Sequence, residues 1–229
     1  MEPDRVTLDD AYALRTPEDS RALYARWAAT YESDFVADTL YVIPDRVAEV
    51  FAEVAAELGD PLTAPAADRC VLDVGCGTGL VAAALVRNGG GTDWVIDGVD
   101  ISAAMLGQAA GKRRADDRPL YRHLIEADLT GDPDIAAGAY AGLMSAGTFT
   151  HGHLGPEALS GLIRFGRRGA IFAIGINAEH FRERGFAAQL DAELAAGRIV
   201  DLQPRVVQMY LPGSSHEGET AVVAVFRAA

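Results

Sequence analysis

The sequence predicts a doubly wound α/β fold: a mostly parallel seven-stranded sheet that ends in an antiparallel hairpin, with helices ahead of it. Three observations carry this. From residue 70 onward, short apolar runs alternate with helix-forming stretches, and a β-α-β-α order builds a parallel sheet with helices on both faces. The first run, "CVLDVG", is almost continuously apolar, as a strand buried on both faces should be. The last two runs, "RVVQMYLP" and "TAVVAVFRAA", are joined only by "GSSHEGE". That loop is too short for a helical crossover, so these strands pair antiparallel.

The elements follow in order. The stretch "LDDAYALRTPEDSRALYARWAATYESDF" holds helix formers, two start signals and the aromatics Tyr12, Tyr24, Trp27, Tyr31 and Phe35. Tyr24, Trp27 and Tyr31 lie three and four apart and share one helix face. Pro44 opens an amphipathic helix in which Val47, Val50, Phe51, Val54 and Leu58 recur at helical spacing. Gly59 and Pro61 stop it, and "GDPLTAPAAD" reads as a loop. The expected division is an N-terminal helical unit, 1–62, and a sheet domain, 63–229. "LVAAALVRN" is a helix, "WVIDGVD" a strand, and "SAAMLGQAAGK" a helix that Ser102 can cap. "LYRHLIEAD" and "AYAGLMSAG" are strands. "GPEALSGLIRFGRR" reads as a helix with proline in its first turn, "GAIFAIGI" as a strand, and "AEHFRERGFAAQLDAELAAG" as one helix ending at Gly197.

Composition bounds the function. The chain has 229 residues and a net charge of -13, against a nucleic-acid partner, because phosphate binding needs a basic footprint. Lys112 is the only lysine, and Asp116 and Asp117 follow Lys112, Arg113 and Arg114, so this short basic run reads as a solvated helix end. The first residues, "MEPDRVTLDD", lack the apolar core of a signal peptide. No apolar run approaches the ~18 residues of a membrane helix. Cys70 and Cys76 make neither a disulfide framework nor a CxxC motif. The expectation is a reduced, cytoplasmic protein with no membrane or nucleic-acid partner; its oligomeric state is open.

The stretch "VLDVGCGTGL" sets Gly75, Gly77 and Gly79 at the junction of the first strand and helix. Ligands of open parallel sheets bind beyond the carboxyl ends of the strands, and glycines let a ligand approach the backbone closely. A P-loop would need GxxxxGK and Ser or Thr; no such lysine is present. A dinucleotide fingerprint would need GxGxxG, and its third glycine would fall on Leu80. The pattern is Asp73, Gly75, Gly77, Gly79 instead. A carboxylate two residues before the first glycine repels a pyrophosphate but not a ligand carrying an ammonium and a sulfonium. The bland alternative is a tight turn. The next strand ends at Asp100, whose carboxylate can accept two hydrogen bonds from a ribose diol, an arrangement that dinucleotide folds also use. Asp97, earlier in the strand, is less well placed.

With these residues the sequence resembles the class I S-adenosylmethionine-dependent methyltransferases, whose first motif has this form. The resemblance covers 70–229, including the terminal hairpin. "YARWAATYESD", "VLDVGCGTGLVA", "GVDISAAML" and "HGHLGPEAL" are together similar to the small subfamily that includes the methyltransferase-like protein of the Williams–Beuren syndrome region. The resemblance implies a Rossmann-like domain, S-adenosylmethionine as cofactor and S-adenosylhomocysteine as product. It implies a cofactor site at Asp73, Gly75, Cys76, Gly77 and Gly79, with Asp100 on the ribose and Ile101 on the adenine face. Asp128 would take the adenine amino group, with Leu129 against the ring; a turn cap is the competing role for Asp128. Backbone carbonyls at Ser145 or Ala146 would hold the methionine amino group. An N-terminal lid would bring Tyr31 to the methionine part, although such an aromatic stripe is more often core.

Methyl transfer is a direct displacement, and a base is needed only if the acceptor must lose a proton. His151 and His153 follow the fourth strand, and His151, nearer the strand end, is the candidate catalytic base. The competing roles are a polar loop wall or a metal site, but His-x-His lacks the three or four ligands that zinc requires, so no metal is expected. Asn177 could orient an acceptor or cap the next helix. The function expected is methyl transfer to a small-molecule acceptor. The alternatives are a protein that binds S-adenosylmethionine or S-adenosylhomocysteine without transferase activity, and a protein methyltransferase. The acceptor atom and its identity are open.

Overall fold

The computed structural model describes residues 6–58, 69–88 and 93–229. The sheet holds β1 (Cys70–Val74), β2 (Val95–Asp100), β3 (His123–Glu126), β4 (Tyr140–Phe149), β5 (Gly166–Asn177), β6 (Ile199–Gln208) and β7 (Thr220–Ala228). Their order is β3-β2-β1-β4-β5-β7-β6. Neighbours among β1 to β5 pair parallel, and β7 runs antiparallel to both β5 and β6. This is the doubly wound, mostly parallel sheet ending in a hairpin that the sequence predicts. Strand order reverses between β1 and β4, which opens a crevice beyond their carboxyl ends.

Side chains alternate across the sheet, so it builds two cores. Val71, Met144, Ile171 and Ala173 face one side, with α3 (Ile43–Glu57), α4 (Leu80–Asn88) and α5 (Ala103–Ala110). Leu72, Leu143, Phe172 and Ile174 face the other, with α6 (Pro156–Ile163) and α8 (Phe186–Ala195). Asp73 shares the Val71 face and is fully buried.

The N-terminal stretch folds as α1 (Leu8–Tyr12), α2 (Pro17–Trp27) and a π-helical turn, Glu32–Ala37. Thr7 and Thr16 each build a capping box with the Asp three residues on. Their buried residues Leu23, Trp27 and Phe35 join the same core as those of α3. The helix α3 lies directly on the sheet: a Cβ added at Gly142 of β4 would come within 2.4 Å of the Phe51 ring. Its apolar stripe is buried through Val54, while Leu58 is exposed. The loop expected at 59–68, and with it the 62/63 boundary, lies outside the described residues.

Four elements differ from their sequence expectation; one is β6, which runs from Ile199 to Gln208 where "RVVQMYLP" would begin at Arg205. The helix α6 ends at Ile163, and "GRR" enters β5, because Phe165 turns into the core and Gly166 already pairs with Tyr140. The long C-terminal helix is two, α7 (Ala178–Glu183) and α8, broken at Gly185, whose φ of 78° is left-handed. The strand β3 is short because Leu120 and Tyr121 leave the ladder and pack into the core beneath the glycine loop. No helix among the described residues is long and apolar enough to cross a membrane.

Candidate functional site

The crevice at the switch point is a cavity of about 200 Å³. The turn after β1 supplies Gly75, Cys76, Gly77 and Thr78. Gly75 has φ 64°, and a Cβ there would lie 2.0 Å from Thr148 Oγ1, so the turn can be made this tightly only without a side chain. Gly77 has φ 52°, and a Cβ there would meet nothing within 4 Å. Its bare backbone therefore faces the open cavity. The end of β2 contributes Asp100 and Ile101. Asp100 accepts hydrogen bonds from the N–H of Gly77 and of Ser102, each at 2.8 Å. One carboxylate thus fixes both the glycine turn and the start of α5. Burial pushes the Asp100 pKa up, against the pull of the backbone N–H groups. Each oxygen keeps a second lone pair for a ligand.

Asp128, Leu129 and Ala146 also line this cavity, as do Tyr24 and Tyr31 from the N-terminal stretch. Asp128 caps its own turn, accepting from the Thr130 N–H at 2.9 Å and hydroxyl at 2.7 Å. Three residues expected at the cofactor are not in the lining. Asp73 points beneath α4, where it accepts from the Tyr121 hydroxyl at 2.7 Å and the Ala82 N–H at 3.3 Å. Strand alternation is the reason: β1 turns Asp73 into the helix-covered core rather than the crevice. Burial pushes its pKa up to about 7. Gly79 packs against the Tyr121 ring, 3.0 Å from an added Cβ. The Ser145 hydroxyl donates back to the Val74 carbonyl at 2.8 Å.

A second, smaller cavity of about 40 Å³ adjoins the first, and Tyr24, Tyr31, Tyr41, Gly147 and His153 line both. Its walls are rich in aromatic rings, including Trp27, Phe35, Phe149 and Tyr210. His151 lines neither cavity. Its Nε2 is turned toward α7, 3.8 Å from Glu183 and 4.0 Å from Glu179. His153 is the histidine at the junction. Its Nδ1 lies 2.9 Å from the His151 carbonyl and its Nε2 lies 2.7 Å from the Tyr24 hydroxyl. Burial lowers the His153 pKa below the ordinary 6.5. Asn177 caps α7, accepting from the N–H of Glu179 and His180, and its side of the fold also lines the second cavity. Sequence reasoning missed Tyr41, Met209 and Tyr210 as wall residues. Tyr41 and Tyr210 meet in an isolated antiparallel bridge, and no local pattern announces a contact between positions so far apart.

Residues 71–169 match the family model described as a methyltransferase domain. No curated protein matches the sequence. Among solved structures, the chain is similar to magnesium protoporphyrin IX methyltransferase from Synechocystis, which carries bound S-adenosylhomocysteine. The TM-score is 0.61 at 16% identity, over 93% of this chain and 99% of that one. A methyltransferase dependent on S-adenosylmethionine, from Aquifex aeolicus, aligns with a TM-score of 0.54 at 18% identity, covering 89% and 98%. The [4+2]-cyclase SpnF aligns with a TM-score of 0.60 at 16% identity, covering 94% and 97%. Likeness at these identities concerns the fold. Residues 71–169 thus match a methyltransferase domain, and the chain shares the fold of solved S-adenosylmethionine-dependent methyltransferases.

Proposed function

We propose that this protein transfers a methyl group from S-adenosylmethionine to a small-molecule acceptor, with the cofactor in the larger cavity and the acceptor in the smaller one. The observation that carries this is the shared wall. The two cavities meet at Tyr24, Tyr31, Tyr41, Gly147 and His153, so a donor and an acceptor bound in them lie against each other. Alignment of the reacting groups and exclusion of water are what a displacement of this kind asks of a protein.

The residues present suit the cofactor. Gly77 offers bare backbone to the cavity, and Asp100 is only half-buried there, so its free lone pairs can take ribose hydroxyls. Ile101 and Leu129 supply apolar walls for an adenine between Asp100 and Asp128. Tyr31 closes the side toward the second cavity. When bound, the cofactor supplies a methyl group on an electrophilic sulfonium. The acceptor side is a small box of rings, which suits a small molecule better than a peptide or a nucleic-acid base.

The test is a thermal shift with S-adenosylmethionine, S-adenosylhomocysteine, NAD and ATP in parallel. A ligand at 100 times its Kd adds about 2.7 kcal/mol, which for a domain of this size raises Tm by roughly 5–10 °C. The expected outcome is a shift with the two sulfur nucleotides alone. A shift with NAD instead would mean that the glycine turn holds a pyrophosphate and would end the proposal.

A further inference from the structure

The smaller cavity carries more detail than a generic acceptor site. Among the described residues, no Asp, Glu, Lys or Arg is in its lining. Two of its lining side chains, Trp27 and Tyr210, are each 2% exposed. Among the described residues, neither Trp27 Nε1 nor Tyr210 Oη has a hydrogen-bond partner. A buried polar atom left unpaired is costly, so both are ready-made partners for a polar atom brought in by a ligand. Much of the remaining wall is aromatic: the Phe35 ring lies 5.4 Å from that of Tyr31 and 5.0 Å from that of Tyr41 by centroids, while Thr150 and Asn177 add neutral polar groups. At about 40 Å³ the space is roughly three times what one water needs. It admits one small ring, or the reactive end of a larger molecule.

The junction supplies a proton acceptor. The His151 carbonyl can only accept, so its 2.9 Å contact puts a hydrogen on His153 Nδ1. The neutral ring then has its lone pair on Nε2, and the Tyr24 hydroxyl donates to it at 2.7 Å. Tyr24 and His153 sit on different parts of the chain, α2 and the loop after β4, and both line both cavities. A neutral amine could attack the methyl group without first losing a proton. A hydroxyl, which is far less nucleophilic until ionised, profits from a base.

Resting on the methyl-transfer proposal, we infer that the acceptor is an uncharged, ring-bearing hydroxyl compound, methylated on oxygen with Tyr24 and His153 as its proton relay. The acceptor hydroxyl donates to Tyr24 Oη while the Tyr24 proton passes to His153 Nε2. The acceptor oxygen forms the new O–CH3 bond as the methyl–sulfur bond breaks, and that electron pair stays on sulfur. The products are a methyl ether, a neutral thioether and an imidazolium; the positive charge has moved from sulfur to His153, which later releases its proton to water. The titratable groups around the relay are Tyr12 on α1, His180 on α7, and Tyr41 and Asp100 across Tyr24. Transfer should therefore fall away on the acid side at a pH below the ordinary histidine value of 6.5, where His153 becomes protonated.

The experiment uses the full chain saturated with S-adenosylhomocysteine. Saturation-transfer NMR with phenol, benzoate and benzylammonium measures which probe enters, and the 15N resonances of the histidines are followed on adding phenol. Phenol alone should bind and should move the His153 Nε2 signal. With S-adenosylmethionine in place of its product, phenol-type acceptors should yield methyl ethers. His153→Gln should lower kcat by about a hundredfold, within the range of a lost general base, and should remove the acid limb. Tyr24→Phe, which keeps the ring, should lower kcat and leave the circular dichroism and Tm near those of the parent. Three results would overturn the inference while leaving the methyl-transfer proposal standing, provided that S-adenosylhomocysteine binds. They are preference for a charged probe, an unmoved His153 signal, and variants that methylate hydroxyls at the parent rate. Failure of S-adenosylhomocysteine to bind would remove both.

Discussion

Gly77 is the residue at which local geometry and ligand approach coincide. Its φ of 52° is left-handed, and the space beside its Cα is open cavity. Gly77→Val adds an isopropyl group to that space and strains the turn by about 1–2 kcal/mol. The expected result is a folded protein whose affinity for S-adenosylhomocysteine falls at least about tenfold, that is, a loss of ~1.4 kcal/mol or more, measured by titration calorimetry. Retained affinity would mean that the ligand does not approach the glycine turn. Asp100 acts at the same scale but differently. Because it already holds the N–H of Gly77, replacing it would disorder the turn as well as remove a ligand contact. Gly77→Val is therefore the cleaner substitution. The glycine spacing was legible in the sequence because a turn that demands left-handed φ leaves its mark in residue type. The choice between His151 and His153 was not, because two residues apart in a loop carry no directional code.

At the scale of elements, α1, α2 and the π-helical turn contribute Tyr24 to both cavities and Trp27 and Phe35 to the smaller one, with Tyr31 at their shared wall. They are tied to the sheet domain by side chains: Tyr24 to His153, Arg21 to Asp128 and Glu32 to Lys112. Lys112 is therefore not a bare solvated helix end. Deleting residues 1–40 should weaken S-adenosylhomocysteine binding by about tenfold or more, roughly 1.4 kcal/mol. The circular dichroism of the sheet and its helices should persist, since α3 remains clamped on β4. Undiminished affinity in the truncated protein would rule out a covering role for these helices. Two start signals were legible in this stretch, and the caps of α1 and α2 are Thr7 and Thr16. A lid position was implied only by the family resemblance, because an aromatic stripe by itself serves a core and a lid equally well.

For the whole molecule, the buried Asp73 couples folding to pH with an unusual sign. Its folded pKa of about 7 lies above the ordinary 3.8. Between these values the folded state keeps a proton that the unfolded chain gives up, so stability falls as pH rises from about 4 to about 7. Most paired carboxylates do the opposite. Chemical denaturation of the parent and of Asp73→Asn across this range should show the parent losing stability relative to the variant as pH rises. A constant difference would mean that Asp73 titrates normally. The net charge of -13 is spread over many local ion pairs, such as Arg118 with Asp93 and Asp116.

The sheet class, the hairpin at its end and the position of the glycine turn can be read from the residues alone. Those features are written in runs of a few residues, where apolar period, turn chemistry and loop length act locally. It takes the packed fold to turn Asp100 rather than Asp73 toward the crevice, to set His153 rather than His151 between the cavities, and to bring Tyr24, Tyr41 and Tyr210 around the smaller one. The physical reason is that side-chain direction at a strand end, and contact between positions more than a hundred residues apart, depend on how the packed layers meet. No local stretch of sequence specifies that meeting.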